Sequence, residues 1–291
     1  MRLFALELNN DIKGLNARKK YIESIIAKLD HPDFVVLPEL ALCSYMASQE
    51  LWKLADNNGY DTTNWALMIA KKYHTYIGVG YIDKEKQDYY NRYLIAGPDG
   101  VYGSVTKSEG ESAVFKRGDF DNIIPTPIGN IAVAICYDAR RKHFYDNIKD
   151  QEISLILFPH GSPADPNKPE EEIKTNDYFC QKYVEAFGVP VVYVNSRGKL
   201  EDMPGKMGVL MAKAGFMMNG RSKIYAQNSQ VISCGIPDVI GADVTITPQI
   251  LRKPIHFYGK DINKGNWLFR LLVLKPDVKA GIRLYEMNRN K

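Results

Sequence analysis

The sequence is poor in the features that announce the simplest classes of protein. It has four cysteines in 291 residues, Cys43, Cys136, Cys180 and Cys234, separated by 93, 44 and 54 positions. With no C-x-x-C pair among them, neither a zinc knuckle nor a dithiol redox centre is expected. No apolar run approaches the ~20 residues needed to cross a bilayer, so no membrane partner is expected. The opening stretch Met1–Leu8 turns polar too soon for a secretion signal, and no N-x-S/T acceptor occurs. These absences point to a cytoplasmic protein with reduced thiols. Lys and Arg number 38 against 34 Asp and Glu, a net charge of +4 with no basic block, which argues against a nucleic-acid partner. Neither G-x-G-x-x-G nor G-x-x-x-x-G-K-[ST] is found, which removes the dinucleotide and P-loop readings. No Pro/Ser-rich linker and no internal repeat divides the chain.

What is present is strand and helix in alternation. Short apolar runs at Leu3–Leu8, Phe34–Leu37, Tyr76–Ile82, Arg92–Ala96, Ile131–Cys136, Ile153–Phe158 and Val189–Val194 are bounded by Gly, Pro, Asn or Asp and read as strands. Between them, Ile22, Ile25, Ile26 and Leu29 fall on one helical face, as do Trp65, Met68 and Ile69, and Phe179, Tyr183, Val184 and Phe187. This alternation predicts an α/β layered fold. Asp99-Gly100 and Asn219-Gly220 predict hairpins, and Pro163–Thr175 a long surface loop leading into a helix. From about Thr245 the chain reads as an appended extension. Its residues Trp267, Leu268, Phe269, Leu271, Leu272 and Leu274 demand burial, on this chain or on a sister subunit. The methionine-rich stretch Met203–Met218 is expected to pack against the core and a substrate loop.

Three places set a reactive side chain at or near a strand end. Phe34-Val-Val-Leu-Pro-Glu39 puts a carboxylate just beyond a buried strand. Ile131-Ala-Val-Ala-Ile-Cys136 ends an apolar strand with a thiol, where partial exposure and a positive neighbour would activate it. Val105-Thr-Lys107-Ser-Glu-Gly-Glu111 places a lysine and two carboxylates within five residues. A cysteine hydrolase using His143 or His160 as base is the competing arrangement, but it gives Glu39 and Lys107 nothing to do.

Taken in order, these residues resemble the carbon–nitrogen hydrolase (nitrilase/amidase) superfamily, whose triad runs Glu, Lys, Cys. Leu37-Pro-Glu39 with Ser44-Tyr45 matches its first motif, and Tyr89-Tyr90-Asn91 and Asp99-Gly100 precede the lysine as they do there. Glu111, Phe115 and Gly118 fit its E-x-x-x-F-x-x-G, and Gly129-Asn-Ile-Ala-Val-Ala-Ile-Cys136-Tyr137-Asp138 fits the nucleophile motif, with Arg140 where the family often has an arginine. Leu155-Ile-Leu-Phe-Pro159, Val194-Asn195 with Gly198, and Gly220-Arg-Ser222 follow in order. The chain departs from the family at Arg141-Lys142-His143, which stand where Phe-Pro-Glu is usual, and at Cys180–Gly188.

The resemblance implies a four-layer α-β-β-α sandwich of two mixed sheets. It implies a hydrolase domain over residues 1–245 and an extension over 246–291. Glu39, Lys107, Cys136 and Glu111 (rather than Glu109) would be catalytic, with Tyr137, Asp138, Arg140 and His160 around the substrate and its oxyanion. The expected substrate is a small amide, ureido compound or nitrile, cleaved through a cysteine thioester with release of ammonia, without cofactor or metal. Tyr137 after the nucleophile is more amidase-like than nitrilase-like. A homodimer or higher homo-oligomer is implied. A true nitrilase and a catalytically inactive nitrilase-like binding protein are the alternatives.

Overall fold

Neighbouring side chains on one strand go to different layers. In the strand Arg2–Leu6, Leu3 and Ala5 enter one apolar layer while Phe4 and Leu6 enter another. In Leu155–His160, Leu155 and Leu157 face that same first layer, and Ile156 and Phe158 a third. Both strands are buried on both faces, as their nearly unbroken apolar runs require. The protein is seen here as a computed structural model describing residues 1–290 apart from 202, 204, 228, 233, 234 and 266, and apart from the side chains of 229 and 267. Cys234 and the indole of Trp267 lie outside the described residues.

The first sheet has eight strands. Its order is Ser229–Ile232, Val239–Val244, Arg2–Leu6, Phe34–Val36, Tyr76–Glu85, Asp88–Gly97 and Gly100–Thr106, with Asp56–Asn57 beside Tyr76–Glu85. The second has five strands in the order Lys223–Tyr225, Val191–Asn195, Leu155–His160, Gly129–Val133 and Ile123–Thr126. Both mix parallel and antiparallel pairs, for example Leu3↔Phe34 parallel and Ile77↔Ala96 antiparallel. Leu3, Phe34, Val36 and Ile95 of the first sheet meet Ile131, Val133, Leu157 and Val192 of the second in one apolar layer. Outside the first sheet lie the helices Leu15–Ile26 and Tyr60–Tyr73, burying Ile22, Ile26, Trp65 and Ile69. Outside the second lie Lys142–Ile148 and Pro169–Phe187, burying Phe144, Phe179, Tyr183 and Phe187. The fold is therefore a four-layer α-β-β-α sandwich. Each large apolar side chain in these layers contributes about 1.5–3 kcal/mol.

Two local expectations need correction. Asp99-Gly100 does sit in the hairpin joining Asp88–Gly97 to Gly100–Thr106, but Asn219-Gly220 joins no hairpin. Met217–Asn219 belongs to a small third sheet with Pro163–Ala164 and Arg197–Lys199, whereas Lys223–Tyr225 joins the five-stranded sheet. The stretch expected as loop up to Thr175 is already helical from Pro169. Proline fits the first turn, where its missing N–H costs nothing, and Glu170, Glu171 and Glu172 suit the positive helix end. In the tail, Leu268, Leu271 and Leu272 are about half exposed on the single chain, which leaves the sister-subunit alternative for their burial open. The tail is anchored elsewhere: Ile255 and Ile262 join the core under the second sheet, and Tyr285 stacks edge-on against Trp52. No helix among the described residues is long and apolar enough to cross a membrane.

Candidate active site

Glu39 is placed by a close approach of backbones. Beyond the strand Phe34–Val36 the chain stays against its neighbour through Leu37 N–H to Gly78 O (3.0 Å), and the Tyr93 hydroxyl donates to Leu37 O (2.8 Å). A Cβ on Gly80 would stand 2.5 Å from Pro38 O and 2.6 Å from Leu40 N, so glycine is what lets the next strand lie against Glu39. The loop that follows is held from inside. Buried Arg18 donates to Ala41 O and Ser44 Oγ, and Asn10 bonds both the N–H and the C=O of Tyr45.

Lys107 lies one residue past the strand Gly100–Thr106, its own N–H given to Asn91 O (2.8 Å). Its Nζ is 2.6 Å from Glu39 Oε1 and 3.0 Å from Glu111 Oε1. Asn91 Nδ2 donates to the same Glu39 oxygen at 2.7 Å, and the Tyr45 hydroxyl donates to Glu111 Oε1 at 2.8 Å. Glu39 and Lys107 are wholly buried, while the Glu111 side chain is 23% exposed. Glu109, two residues before Glu111, turns away to Arg117 and Arg141. The four-residue gap from Lys107 to Glu111 thus brings the carboxylate back onto its lysine within one turn of chain.

Cys136 comes from the other sheet. It follows Gly129–Val133 and opens a short 3-10 turn, Cys136–Arg140, with φ of +53°. A left-handed cysteine is strained by about 1–3 kcal/mol and persists only where its surroundings impose it. Its Sγ lies 3.5 Å from Ser162 Oγ. Ser162 is fixed in turn by Asn195, whose Oδ1 accepts the Ser162 N–H and whose Nδ2 donates to Ser162 O, both at 3.0 Å. Between His160 and Ser162, Gly161 backs onto the first sheet: a Cβ there would stand 2.2 Å from the Tyr45 ring and 2.8 Å from Glu39 Oε2. The second Glu39 oxygen therefore faces the segment that carries Ser162 to Cys136. That oxygen is buried and has no hydrogen-bond partner among the described residues.

Burial and charge set the protonation states. Burial raises Glu39 above the ordinary glutamate range even against the pull of Lys107. Burial alone would lower Lys107, but the charges of Glu111 and Glu39 outweigh it and hold the ammonium well above its usual value. For Glu111 burial works upward, and the charge and hydrogen bond of Lys107 prevail and lower it. The Cys136 thiol is pushed up to about 12, first by burial and then by the charge of Glu39. His160 is pushed down to about 3, chiefly by burial.

A cavity of about 340 Å³ opens on Cys136, walled by Tyr137, Arg140, His160, Ser162, Glu172 and Phe179 among others. Of the residues expected around the substrate, Tyr137, Arg140 and His160 line it. Asp138 does not. Its buried carboxylate accepts the N–H groups of Ser108 (2.7 Å) and Glu109 (2.8 Å), so it braces the lysine loop against the cysteine turn. His143, the alternative base, stands beside Asp138 and against Phe120, outside the cavity wall. The other candidate base, His160, bonds Phe158 O through Nδ1 and packs on the Tyr193 ring. Sequence reasoning passed over Ser162 and gave Asn91 and Asn195 no role. Asn91 and Asn195 are marked only as parts of the motifs Tyr89-Tyr90-Asn91 and Val194-Asn195, and Ser162 only by standing just past an apolar strand. Among the described residues no group of three or more His, Cys, Asp or Glu is placed to hold a metal ion.

Comparison with known proteins bears on this geometry. Residues 9–248 match the family described as carbon-nitrogen hydrolase. No curated protein matches the chain. Among solved structures, a carbon-nitrogen hydrolase from Helicobacter pylori G27 superposes with a TM-score of 0.66 at 18% identity, over 78% of this chain and 82% of that one. An amidase from Nesterenkonia sp. gives 0.65 at 15% identity, over 85% and 90%. Saccharomyces cerevisiae Nit3, a member of branch 10 of the nitrilase superfamily, gives 0.62 at 16% identity, over 83% and 88%. At such identities the likeness is one of fold.

Proposed function

The chain belongs to the carbon–nitrogen hydrolase family, and on that premise we propose that it cleaves a non-peptide carbon–nitrogen bond, in a small amide or N-carbamoyl compound, through a thioester on Cys136. The observation that carries this reading is the unpartnered, buried Oε2 of Glu39, facing the segment that runs to the thiol while Oε1 is held by Lys107 and Asn91. A carboxylate kept short of hydrogen bonds on one side is a proton acceptor in waiting.

In the first half-reaction the Cys136 thiol gives its proton to Glu39 as sulfur attacks the substrate carbon. The negative charge then moves to the substrate oxygen. Lys107 spends one N–H on Glu39 and one on Glu111, leaving a third for that oxygen. The Tyr137 amide, in the first turn of the 3-10 segment where N–H groups lack helical acceptors, is the second donor. Each such donor is worth about 3 kcal/mol of barrier. Glu39 returns its proton to the departing nitrogen, and ammonia leaves. In the second half-reaction Glu39 takes a proton from water, the hydroxide opens the thioester, and the proton returns to sulfur. Glu111 keeps Lys107 charged and aimed throughout.

A panel of small amides, ureido acids and nitriles assayed for ammonia release tests the reading. Cys136→Ala should abolish turnover with the fold intact, and iodoacetamide should label Cys136 ahead of buried Cys43 and Cys180. Turnover by Cys136→Ala, or faster labelling of another cysteine, overturns it.

A further inference from the structure

The residues matched to the family end at 248, yet the tail beyond them returns to the nucleophile turn. Lys142 N–H donates to Lys260 O (3.0 Å) and Ile262 N–H to Arg140 O (2.9 Å), so residues 260–262 lie along 140–142 like one rung of a sheet. At the centre of this rung stands Asp261, with its side chain wholly buried. Its Oδ2 accepts the Tyr137 hydroxyl at 3.1 Å, and its Oδ1 lies 3.2 Å from Arg140 Nη2. Arg270 reaches Oδ2 at 3.1 Å, and Arg141 at 3.7 Å.

Two of these partners, Tyr137 and Arg140, line the cavity over Cys136, while Asp261, Arg141 and Arg270 do not. One carboxylate therefore grips, from behind, two side chains that present their other surfaces to the cavity. The Arg140 Nε is buried and has no acceptor among the described residues. Across the same cavity Glu172 stands close enough for its carboxyl to feel the Arg140 charge. A guanidinium between two carboxylates goes to the one that holds it better. With Asp261 in place the head is drawn back into the wall, and without it Glu172 is the remaining anionic partner and the cavity narrows.

We infer that Asp261 is a positioning residue for substrate recognition, holding Arg140 and Tyr137 in the cavity wall so that the C-terminal tail forms part of the working site. The inference rests on the hydrolase reading of that cavity. Arg140, so held, offers its guanidinium to an oxygen of the substrate beyond its scissile group. Asp261 touches neither substrate nor thiol, so its loss changes binding and leaves the proton transfers to Glu39 alone.

The test uses the full-length protein and the amide that the wild type hydrolyses best. Asp261→Asn removes the charge at constant shape. Asp261→Glu keeps the buried charge balance but moves the carboxylate by one methylene, and so remains informative if the first variant folds poorly. Arg270→Met removes a partner of Asp261 about as exposed as Arg140, and one that does not reach the cavity. Either Asp261 variant should raise KM at least tenfold with kcat within threefold, and alkylation of Cys136 by iodoacetamide should stay within threefold of wild type. Arg270→Met should leave KM within twofold. A KM within twofold of wild type in the Asp261 variants overturns the inference, as does an equal rise in Arg270→Met, which would mean that Asp261 only stabilises the tail. A wild-type protein that hydrolyses no amide overturns the reading beneath it and the inference with it.

Discussion

Lys107 Nζ stands 2.6 Å from Glu39 Oε1, and neither side chain has contact with solvent. With Glu111 on the other side of the ammonium, the cluster holds two carboxylates and one cation. A free thiolate on Cys136 would add a second uncompensated negative charge to a buried site, which is why burial and Glu39 push the thiol up to about 12. In the chemistry we propose, the proton therefore moves from sulfur to Glu39 as the bond to carbon forms, not before. This differs from cysteine hydrolases that rest as a thiolate–imidazolium pair.

Glu111 should matter and Glu109 should not. Glu111→Gln takes away the charge that helps to hold Lys107 protonated, and turnover should fall at least about a hundredfold, or roughly 2.7 kcal/mol of barrier. Glu109, paired with Arg117 and Arg141 away from Lys107, should tolerate Gln with less than about a threefold change in rate. Equal effects in steady-state assays would remove Glu111 from the mechanism.

The acid limb of the pH–rate profile should lie above the ordinary glutamate range, because the working base is ionised Glu39 and burial raises it. Activity present at neutral pH is lost as pH falls through that raised value. Asn91 donates to the ionised form, so Asn91→Ala should move the limb still higher. A limb unmoved in kcat/KM measured from pH 4 to 9 would show that Asn91 does not set the base.

Gly161→Ala is expected to be severe for a one-carbon change. The added methyl would meet the Tyr45 ring at 2.2 Å and Glu39 Oε2 at 2.8 Å, so the base, or the loop carrying Ser162, must shift. A displacement near 1 Å in a reacting group costs about a hundredfold in rate, while the overpacking costs about 1–3 kcal/mol in stability. Wild-type kcat/KM in this variant would contradict the placement of Oε2.

Acid should destabilise the protein partly through His160, buried and pushed down to about 3 against an ordinary value near 6.5. Below pH 6.5 the unfolded chain takes up a proton that the folded one refuses, so stability falls as pH falls through this window. Between pH 6.5 and 4.5 the loss is about 2–3 kcal/mol. His160→Phe keeps a ring against Tyr193 and should flatten this dependence in urea midpoints taken at both pH values. An unchanged slope would assign the acid sensitivity elsewhere.

The layers were legible, as was the proximity of the candidate residues, because local chemistry announces them: a carboxylate or a thiol at the end of an apolar strand, as with Glu39 and Cys136, is set where a crevice can reach it. What escaped depends on contacts across long stretches of sequence. Nothing near Asn219-Gly220 says that the strands on either side join different sheets. The spacing of Asp138 from the nucleophile is compatible with facing the substrate, and only the fold shows it turned to Ser108 and Glu109. Asp261 lies over a hundred residues from Tyr137 and Arg140, in a tail whose exposed leucines drew attention away from it.

The thiol enters from one sheet, and the base and the cation from the other, with the layer of Val36, Ile95, Val133 and Leu157 between the two. On the proposed chemistry, turnover is thus a caliper on the gap between the sheets. A methyl trimmed from that layer, far from any substrate, changes how squarely sulfur meets its proton acceptor. Mild denaturant or pressure that lets the sheets slide should silence the protein while its circular dichroism still reads as native.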